Sequence, residues 1–190
     1  MPFLQNWFVI VVAYVLAHGL TAMLITPLQS RFIPEITAFA SLVYLPHGVR
    51  VLSVWLLGKI AFLPLFAGAF LSELLFTPAD VSRVTDPVIL ASLVVGAASA
   101  VLAFELFRLL GYNLYAGRKF RIHWKWLLLV GMLASVINSI GQSLVFSGLI
   151  LSEAVFAVVM TYAVGDLIGL IVTTLVLMFC FRWIRLRPGR

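Results

Sequence analysis

The sequence predicts an all-α integral membrane protein, a six-helix transmembrane bundle with a broken second helix. Hydrophobic residues make up 63% of the 190 residues and charged residues only 11%, and the mean hydropathy is +1.14, which together exclude an ordinary soluble domain. A membrane crossing needs about 20 apolar residues, so this length allows six helices with short connections. A proline and a glycine, Pro46 and Gly48, stand inside the second apolar run.

From the lengths of the apolar runs, the first three helices are predicted at about 4–26, 36–58 and 60–77. The first run follows an N-terminus without lysine or arginine, so it is interpreted as a retained helix and not as a secretory signal. Pro27 and Pro34 bracket the loop that comes next, because proline does not fit a helix interior. Lys59 separates the second helix from the third.

By the same criteria, the last three helices are predicted at about 87–110, 125–149 and 154–182. Pro87 suits the first position of the fourth helix, where the missing amide hydrogen costs nothing. Ser152 and Glu153 favour the start of the sixth. The six helices form a single membrane domain over residues 1–190, without room for a separate soluble domain.

The basic residues collect on one side of the predicted bundle, at Lys59, Arg118, Lys119, Arg121, Lys125 and from Arg182 to Arg190. An excess of lysine and arginine marks cytoplasmic loops, so both termini are predicted to be cytoplasmic. The net charge of +6 is due to these flanking residues, and no nucleic-acid partner is expected. The lipid bilayer is the partner that the composition requires.

The break in the second helix is expected at Leu45-Pro46-His47-Gly48. Pro46 lacks an amide hydrogen, and Gly48 permits unusual backbone angles. One interpretation is a packed kink in which His47 satisfies freed backbone groups. The other is a discontinuous helix whose second half presents its N-terminus to an anion.

Arg50 and Asp166 each lie near the middle of an apolar run. An ionised group at that depth costs about 2.5–3.5 kcal/mol on insertion scales, so such residues face a bundle interior and carry a pairing or functional role. The two are predicted to be partners. They form either a structural ion pair between the second and sixth helices, or a polar pocket in which a ligand or a proton disturbs that pair.

Asn138 and Gln142 are one turn apart on the fifth helix, so their amides share a face and either cross-link helices or line the same cavity. Small residues spaced by four predict close helix packing, most clearly at Gly96, Gly165 and Gly169. At the interface, Glu105 and Arg108 are expected to form an ion pair.

No catalytic set, metal site or cofactor is predicted. Ala163-Val164-Gly165-Asp166 is similar to the aspartate motif of intramembrane proteases, but the apolar runs hold no second aspartate to share the acid–base work. The histidines and acidic residues come from separate helices without metal-ligand spacing. The chain is therefore not expected to be an enzyme.

Several motifs resemble the type-one membrane-associated sensor family, abbreviated MASE. They are Leu45-Pro46-His47-Gly48-Val49-Arg50, Leu56-Leu57-Gly58-Lys59, Pro64-Leu65-Phe66-Ala67-Gly68 and Gly165-Asp166-Leu167-Ile168-Gly169. The resemblance implies an all-helical sensor in a bacterial inner membrane, joined to a histidine kinase or a cyclic-dinucleotide enzyme, with Pro46, Gly48, Gly165, Asp166 and Gly169 at motif positions. The chain departs from that pattern at His47 and Tyr162, is about two helices shorter, and Arg50 is not a family position.

The expected function is a membrane sensory or ligand-receiving module that signals through a separate membrane or cytoplasmic protein. Arg50, Asp166, His47, Asn138 and Gln142 are the expected ligand-binding or switch residues, and a small molecule is the expected ligand. Two alternatives stay open: a substrate-binding subunit of a small-molecule transporter, and a structural accessory subunit of a larger membrane complex.

Overall fold

The computed structural model describes residues 2–37, 41–78, 83–117, 123–146 and 155–186. This part of the chain contains helices and no strand, so the predicted all-α class is confirmed. The elements are α1 Pro2–Leu20, a π-helical turn Thr21–Ile25, α2 Thr26–Gln29, α3 Pro34–Thr37, α4 Leu45–Leu57, a 3₁₀ turn Gly58–Ala61, α5 Phe62–Phe76, α6 Pro87–Leu109, α7 Trp124–Val145 and α8 Val155–Leu186.

Five helical segments are long and apolar enough to cross a membrane, which is compatible with a multi-pass membrane protein. They are Leu4–Gln29, Leu45–Phe76, Pro87–Leu109, Trp124–Val145 and Val159–Cys180. The predicted count of six is not confirmed, because α4, the 3₁₀ turn and α5 follow one another without a break and count as one apolar segment, although the chain reverses its direction within it. With 13 residues, α4 is about 20 Å long, shorter than the roughly 30 Å hydrocarbon core.

The contacts of α4 with α1 show the direction in which α4 runs. The amide of Leu45, at the start of α4, donates to the hydroxyl of Thr21 near the end of the first segment. Further along α4, Arg50 donates to the hydroxyl of Tyr14, one to two turns earlier in α1. The two helices are therefore antiparallel.

The contacts of α5 with α1 show the opposite direction. Gly68 lies against the Tyr14 side chain, and Phe76 lies against Gly19, so α5 runs parallel to α1. The chain turns back between α4 and α5 at Gly58, whose φ of 70° falls in the region that favours glycine. Helices α4 and α5 thus form a tight hairpin with Lys59 at its tip.

The end of the bundle that carries this tip, here called the Lys59 end, holds a group of charged side chains. The Glu105 carboxylate accepts hydrogen bonds at 2.8 Å from both Lys59 and Arg108, which confirms the predicted Glu105–Arg108 pair. The hydroxyl of Tyr115 donates to the same carboxylate at 2.7 Å. Burial and the neighbouring carboxylate raise the pKa of Tyr115, so this hydroxyl keeps its proton and remains a donor.

The break before α4 lies earlier than predicted. Helix α4 begins at Leu45 with Pro46 in its first turn, where a missing amide hydrogen is tolerated. Gly48 is helical, since the described glycines with positive φ are Gly58 and two in the loop after α6. The expectation that Gly48 supplies unusual backbone angles is wrong. A Cβ at this position would overlap Thr173, so Gly48 serves close packing of α4 on α8.

The core is formed where α4, α6, α7 and α8 meet, with α1 and α5 packed beside them. Its fully buried apolar side chains include Val51, Val54, Leu65, Phe104, Val130 and Leu170. Large apolar side chains on the outer faces of the same helices are exposed, as expected for surfaces that meet lipid.

Candidate functional site: a buried polar cluster

The backbone before α4 lies directly against α8. A Cβ at Gly165 would overlap the carbonyl oxygen of Ser41, and a Cβ at Gly169 would overlap that of Tyr44. The Tyr44 amide also donates to the Gly165 carbonyl at 3.0 Å. The two α8 glycines therefore let non-helical backbone approach a helix closely enough to bond to it.

The non-helical backbone finds its remaining polar partners on neighbouring elements. The amide of Leu42 donates to the Gln29 side-chain oxygen at 2.7 Å, and the amide of Leu45 donates to the Thr21 hydroxyl at 3.3 Å. The carbonyl of Leu45 accepts from the Thr173 hydroxyl at 3.1 Å. Irregular backbone at membrane depth is tolerated only where protein or a polar cavity supplies such partners.

Two tyrosines surround the guanidinium of Arg50. Its Nη2 donates to the hydroxyls of Tyr14 at 2.7 Å and Tyr44 at 3.3 Å. Its central carbon lies 5.6 and 5.2 Å from the two ring centroids, within cation–π range. Gly96 leaves the space for this group, since a Cβ there would be 2.5 Å from Nη2. Within the described residues, Nε and Nη1 of Arg50 have no hydrogen-bond partner.

Asp166 contacts a histidine and an amide. Its Oδ2 accepts from Asn138 Nδ2 at 2.8 Å and lies 3.4 Å from Nδ1 of His47. On the other side of the imidazole ring, Nε2 is 3.1 Å from the Gly131 carbonyl oxygen. The His47 and Asp166 side chains are both fully buried. Asp166 Oδ1 finds no hydrogen-bond partner among the residues that the structure describes.

The predicted direct pair between Arg50 and Asp166 is not formed in the described part of the chain. Each group has its own partners, because His47 lies one turn before Arg50 on α4 and takes the position next to the carboxylate. Both charges are nevertheless near His47, since Arg50 follows it by one turn on α4 and Asp166 lies 3.4 Å from its ring. We call Tyr14, Tyr44, His47, Arg50, Asn138 and Asp166 the central cluster.

Gln142 links the central cluster to α6. Its amide nitrogen donates to the Ser92 carbonyl at 3.1 Å, and its amide oxygen accepts from the Ser92 hydroxyl at 2.8 Å. The same nitrogen is 3.4 Å from Asn138 Oδ1. A line of amides therefore joins Asp166 on α8, through α7, to half-exposed Ser92 on α6.

The sequence analysis indicated Gln142 and four members of the central cluster, and it missed the two tyrosines. The four are His47, Arg50, Asn138 and Asp166. Tyr14 is only 1% exposed, but its place inside an apolar run does not distinguish a buried tyrosine from one that faces lipid. Tyr44 immediately precedes helix α4, and that position alone does not indicate a contact with Arg50. In the described ranges no group of three or more histidine, cysteine, aspartate or glutamate residues could hold a metal ion.

Comparison of the chain with known protein families, curated proteins and solved structures found no match. The resemblance to the MASE family therefore stays a prediction that depends on the short motifs around Pro46, Gly58, Pro64 and Asp166. Evidence on function comes from the geometry of the central cluster.

Proposed function

We propose that this chain is an integral membrane sensory or ligand-receiving module, with the central cluster as its receiving site. One observation carries the proposal. Arg50 and Asp166 are 3% and 0% exposed, yet two guanidinium nitrogens and one carboxylate oxygen have no partner among the described residues. An unsatisfied buried polar group costs about 1–3 kcal/mol, and more when it is charged. Intramembrane ionisable groups with that cost are typical of ligand, ion or proton sites.

The cluster is suited to change helix packing, because its contacts join three helices. His47 ties α4 to α7 through the Gly131 carbonyl, and Asp166 ties α8 to α7 through Asn138. A ligand that bonds the free atoms of Arg50 or Asp166 adds contacts where these three helices meet. It shifts the packing of α4, α7 and α8 only if it binds one arrangement more tightly than the other.

The proposal includes six crossings, with α4 running toward the Lys59 end and α5 running away from it. It also places both termini in the cytoplasm of a bacterium. Lysine, arginine and tryptophan side chains at the Lys59 end support this orientation. Output through a separate signalling protein is supported by the MASE-like motifs.

Distance measurements between spin labels test the switch. Cys180 is the only cysteine, so Cys180→Ser provides a background for labels at Leu56→Cys on α4 and Met178→Cys on α8, both exposed. We expect Asp166→Asn to change the measured distance in lipid nanodiscs. Glu105→Gln, which alters the charged group at the Lys59 end, is the matched control and should not. Equal label-to-label distances in the labelled parent protein, the Asp166→Asn variant and the Glu105→Gln variant would contradict a switch at the cluster.

Purification in native lipid separates the three functions. Recovery of a signalling protein supports the sensory module. A bound metabolite together with a copurifying ATPase would instead identify a transporter subunit. Stoichiometric recovery in a larger complex without a small ligand would identify an accessory subunit.

A further inference from the structure

We propose that His47 and Asp166 together bind one exchangeable proton, and that Arg50 balances the Asp166 charge when this proton leaves. The inference rests on the proposed function, because it names the ligand of the same site. The proton is held between Nδ1 of His47 and Oδ2 of Asp166. When the pair releases it, the proton passes to water and no other bond changes.

The contacts of the His47 ring favour such a proton. A carbonyl oxygen only accepts, so the 3.1 Å contact with Gly131 means that Nε2 carries a hydrogen. In a neutral imidazole the other nitrogen, Nδ1, then has a lone pair. Nδ1 has no hydrogen-bond partner among the described residues, and the nearest carboxylate oxygen, itself an acceptor, is 3.4 Å away. One additional proton, on Nδ1 or on Oδ2, turns this repulsive contact into an attractive one.

Asn138 does not remove the need for the proton. Its amide nitrogen donates to the same oxygen, Oδ2, at 2.8 Å, and leaves the His47 lone pair without a donor. Both side chains are fully buried, so bulk water does not separate the two facing acceptors. A hydrogen bond between His47 Nδ1 and Asp166 Oδ2 is therefore possible only when the pair holds the proton.

Arg50 makes the proton-free state accessible. With the proton bound, the His47–Asp166 pair is neutral and Arg50 leaves the cluster with one positive charge. After release, Asp166 is negative and Arg50 positive, so the cluster is neutral. Arg50 lies one turn after His47 on α4, and His47 is 3.4 Å from Asp166, so the two charges are held in one cluster. In that state, the unpartnered guanidinium N–H groups can donate and Asp166 Oδ1 can accept.

Other titratable groups face the cluster from several helices, and they bear on the titration. They are Tyr14 and His18 from α1, Tyr44 before α4, Glu73 from α5 beside His18, and Tyr162 from α8. From α7 and α6 the facing residues at the pair and at Arg50 are Asn138 and Gly96, which do not titrate. The assignment therefore needs spectra that resolve His47 and Asp166 individually.

Nitrogen NMR of histidine labelled with ¹⁵N, in lipid nanodiscs, detects the two ring nitrogens directly. Subtracting the spectrum of His47→Gln assigns the His47 signals, and His123→Gln, at an exposed position, is the matched control. Infrared difference spectra assigned with Asp166→Asn report on the carboxyl group. We expect Nε2 to stay protonated, while Nδ1 or the carboxyl group exchanges one proton with pH. Constant protonation of both groups over the pH range in which the protein stays folded would overturn the proposal.

Arg50 variants test the charge balance. Arg50→Gln removes a positive charge that opposes proton binding, so the titration midpoint should rise by on the order of one pH unit, a tenfold gain in proton affinity. Arg50→Lys keeps the charge and should retain most of the original midpoint. Equal midpoints in the Gln and Lys variants would overturn the role of Arg50. If Arg50→Gln does not fold, the wild-type titration still tests the proton site.

The two proposals fail in different ways. Titration of the pair at a constant α4–α8 distance supports the proton site and contradicts the sensory switch. A distance change in Asp166→Asn without any titration in the wild type supports the switch and contradicts the proton site.

Discussion

The charged group at the Lys59 end and the central cluster use similar side chains but differ in how they are completed. At the Lys59 end, Glu105 accepts from Lys59, Arg108 and Tyr115, and the two basic side chains are about half exposed. In the central cluster, the charged side chains are almost fully buried and several of their polar atoms have no partner in the described ranges.

The difference between the two groups is their access to water, which hydrates unpartnered polar atoms at the Lys59 end and does not reach those of the central cluster. At a surface, water bonds to any N–H group of lysine or arginine that has no protein partner, so a missing protein contact costs little free energy. In the interior, each missing contact costs the desolvation of the group. An unpartnered charged group at the centre is therefore expensive. Among the described residues of the central cluster, the unpartnered atoms belong to α4 and α8, which glycines such as Gly48 allow to pack closely.

The largest expected effect comes from the backbone contact that holds the centre together. Gly169→Val should abolish the folded protein, because its side chain would overlap the Tyr44 carbonyl, and backbone cannot rotate away as a side chain can. Val164→Leu, at an exposed position on the same helix, is the control. Thermal unfolding in detergent compares the two, and a stable Gly169→Val protein would show that α8 does not support the break.

Removing one carboxylate from each group compares them directly. Asp166→Ala removes the carboxylate that accepts from Asn138 and lies 3.4 Å from His47, and loss of one member of a buried pair costs about 3–5 kcal/mol. Glu105→Ala removes a partly exposed pair, for which about 1 kcal/mol or less is expected. Free energies of unfolding from denaturant titration measure both. Similar values for the two variants would contradict the distinction between the groups.

Tyrosine hydroxyls give a finer comparison that leaves all formal charges in place. Tyr14→Phe removes a buried hydroxyl 2.7 Å from the Arg50 guanidinium, and a hydrogen bond to a charged group contributes about 1.5–3 kcal/mol. Tyr112→Phe changes an exposed ring and should be close to neutral. The same unfolding measurement applies, and an unaffected Tyr14→Phe would mean that the hydroxyl does not stabilise Arg50.

The sequence predicted the helical class and most of the polar residues, since polar groups within apolar runs have to share an interior. It did not predict which groups touch. Arg50 and Asp166 are opposite charges within apolar runs, but His47 and not Arg50 lies next to the Asp166 carboxylate. Tyr14 was missed because a single tyrosine in an apolar run has the same pattern whether it faces lipid or Arg50. These outcomes depend on helix rotation and register, which apolar-run lengths do not contain.

The smallest expected effect is at the tip of the hairpin, and its salt dependence distinguishes the two groups. Lys59→Ala removes an ion pair in which the lysine side chain is 56% exposed. The free energy of unfolding should therefore fall by about 0.2–1 kcal/mol. The Debye length falls from about 10 Å at 0.1 M salt to about 3 Å at 1 M, and this loss should shrink accordingly. The cost of Tyr14→Phe should not change with salt, because ions do not reach the buried guanidinium. A Lys59→Ala effect that is equally large at both salt concentrations would mean that the Lys59 end is as shielded from solvent as the centre.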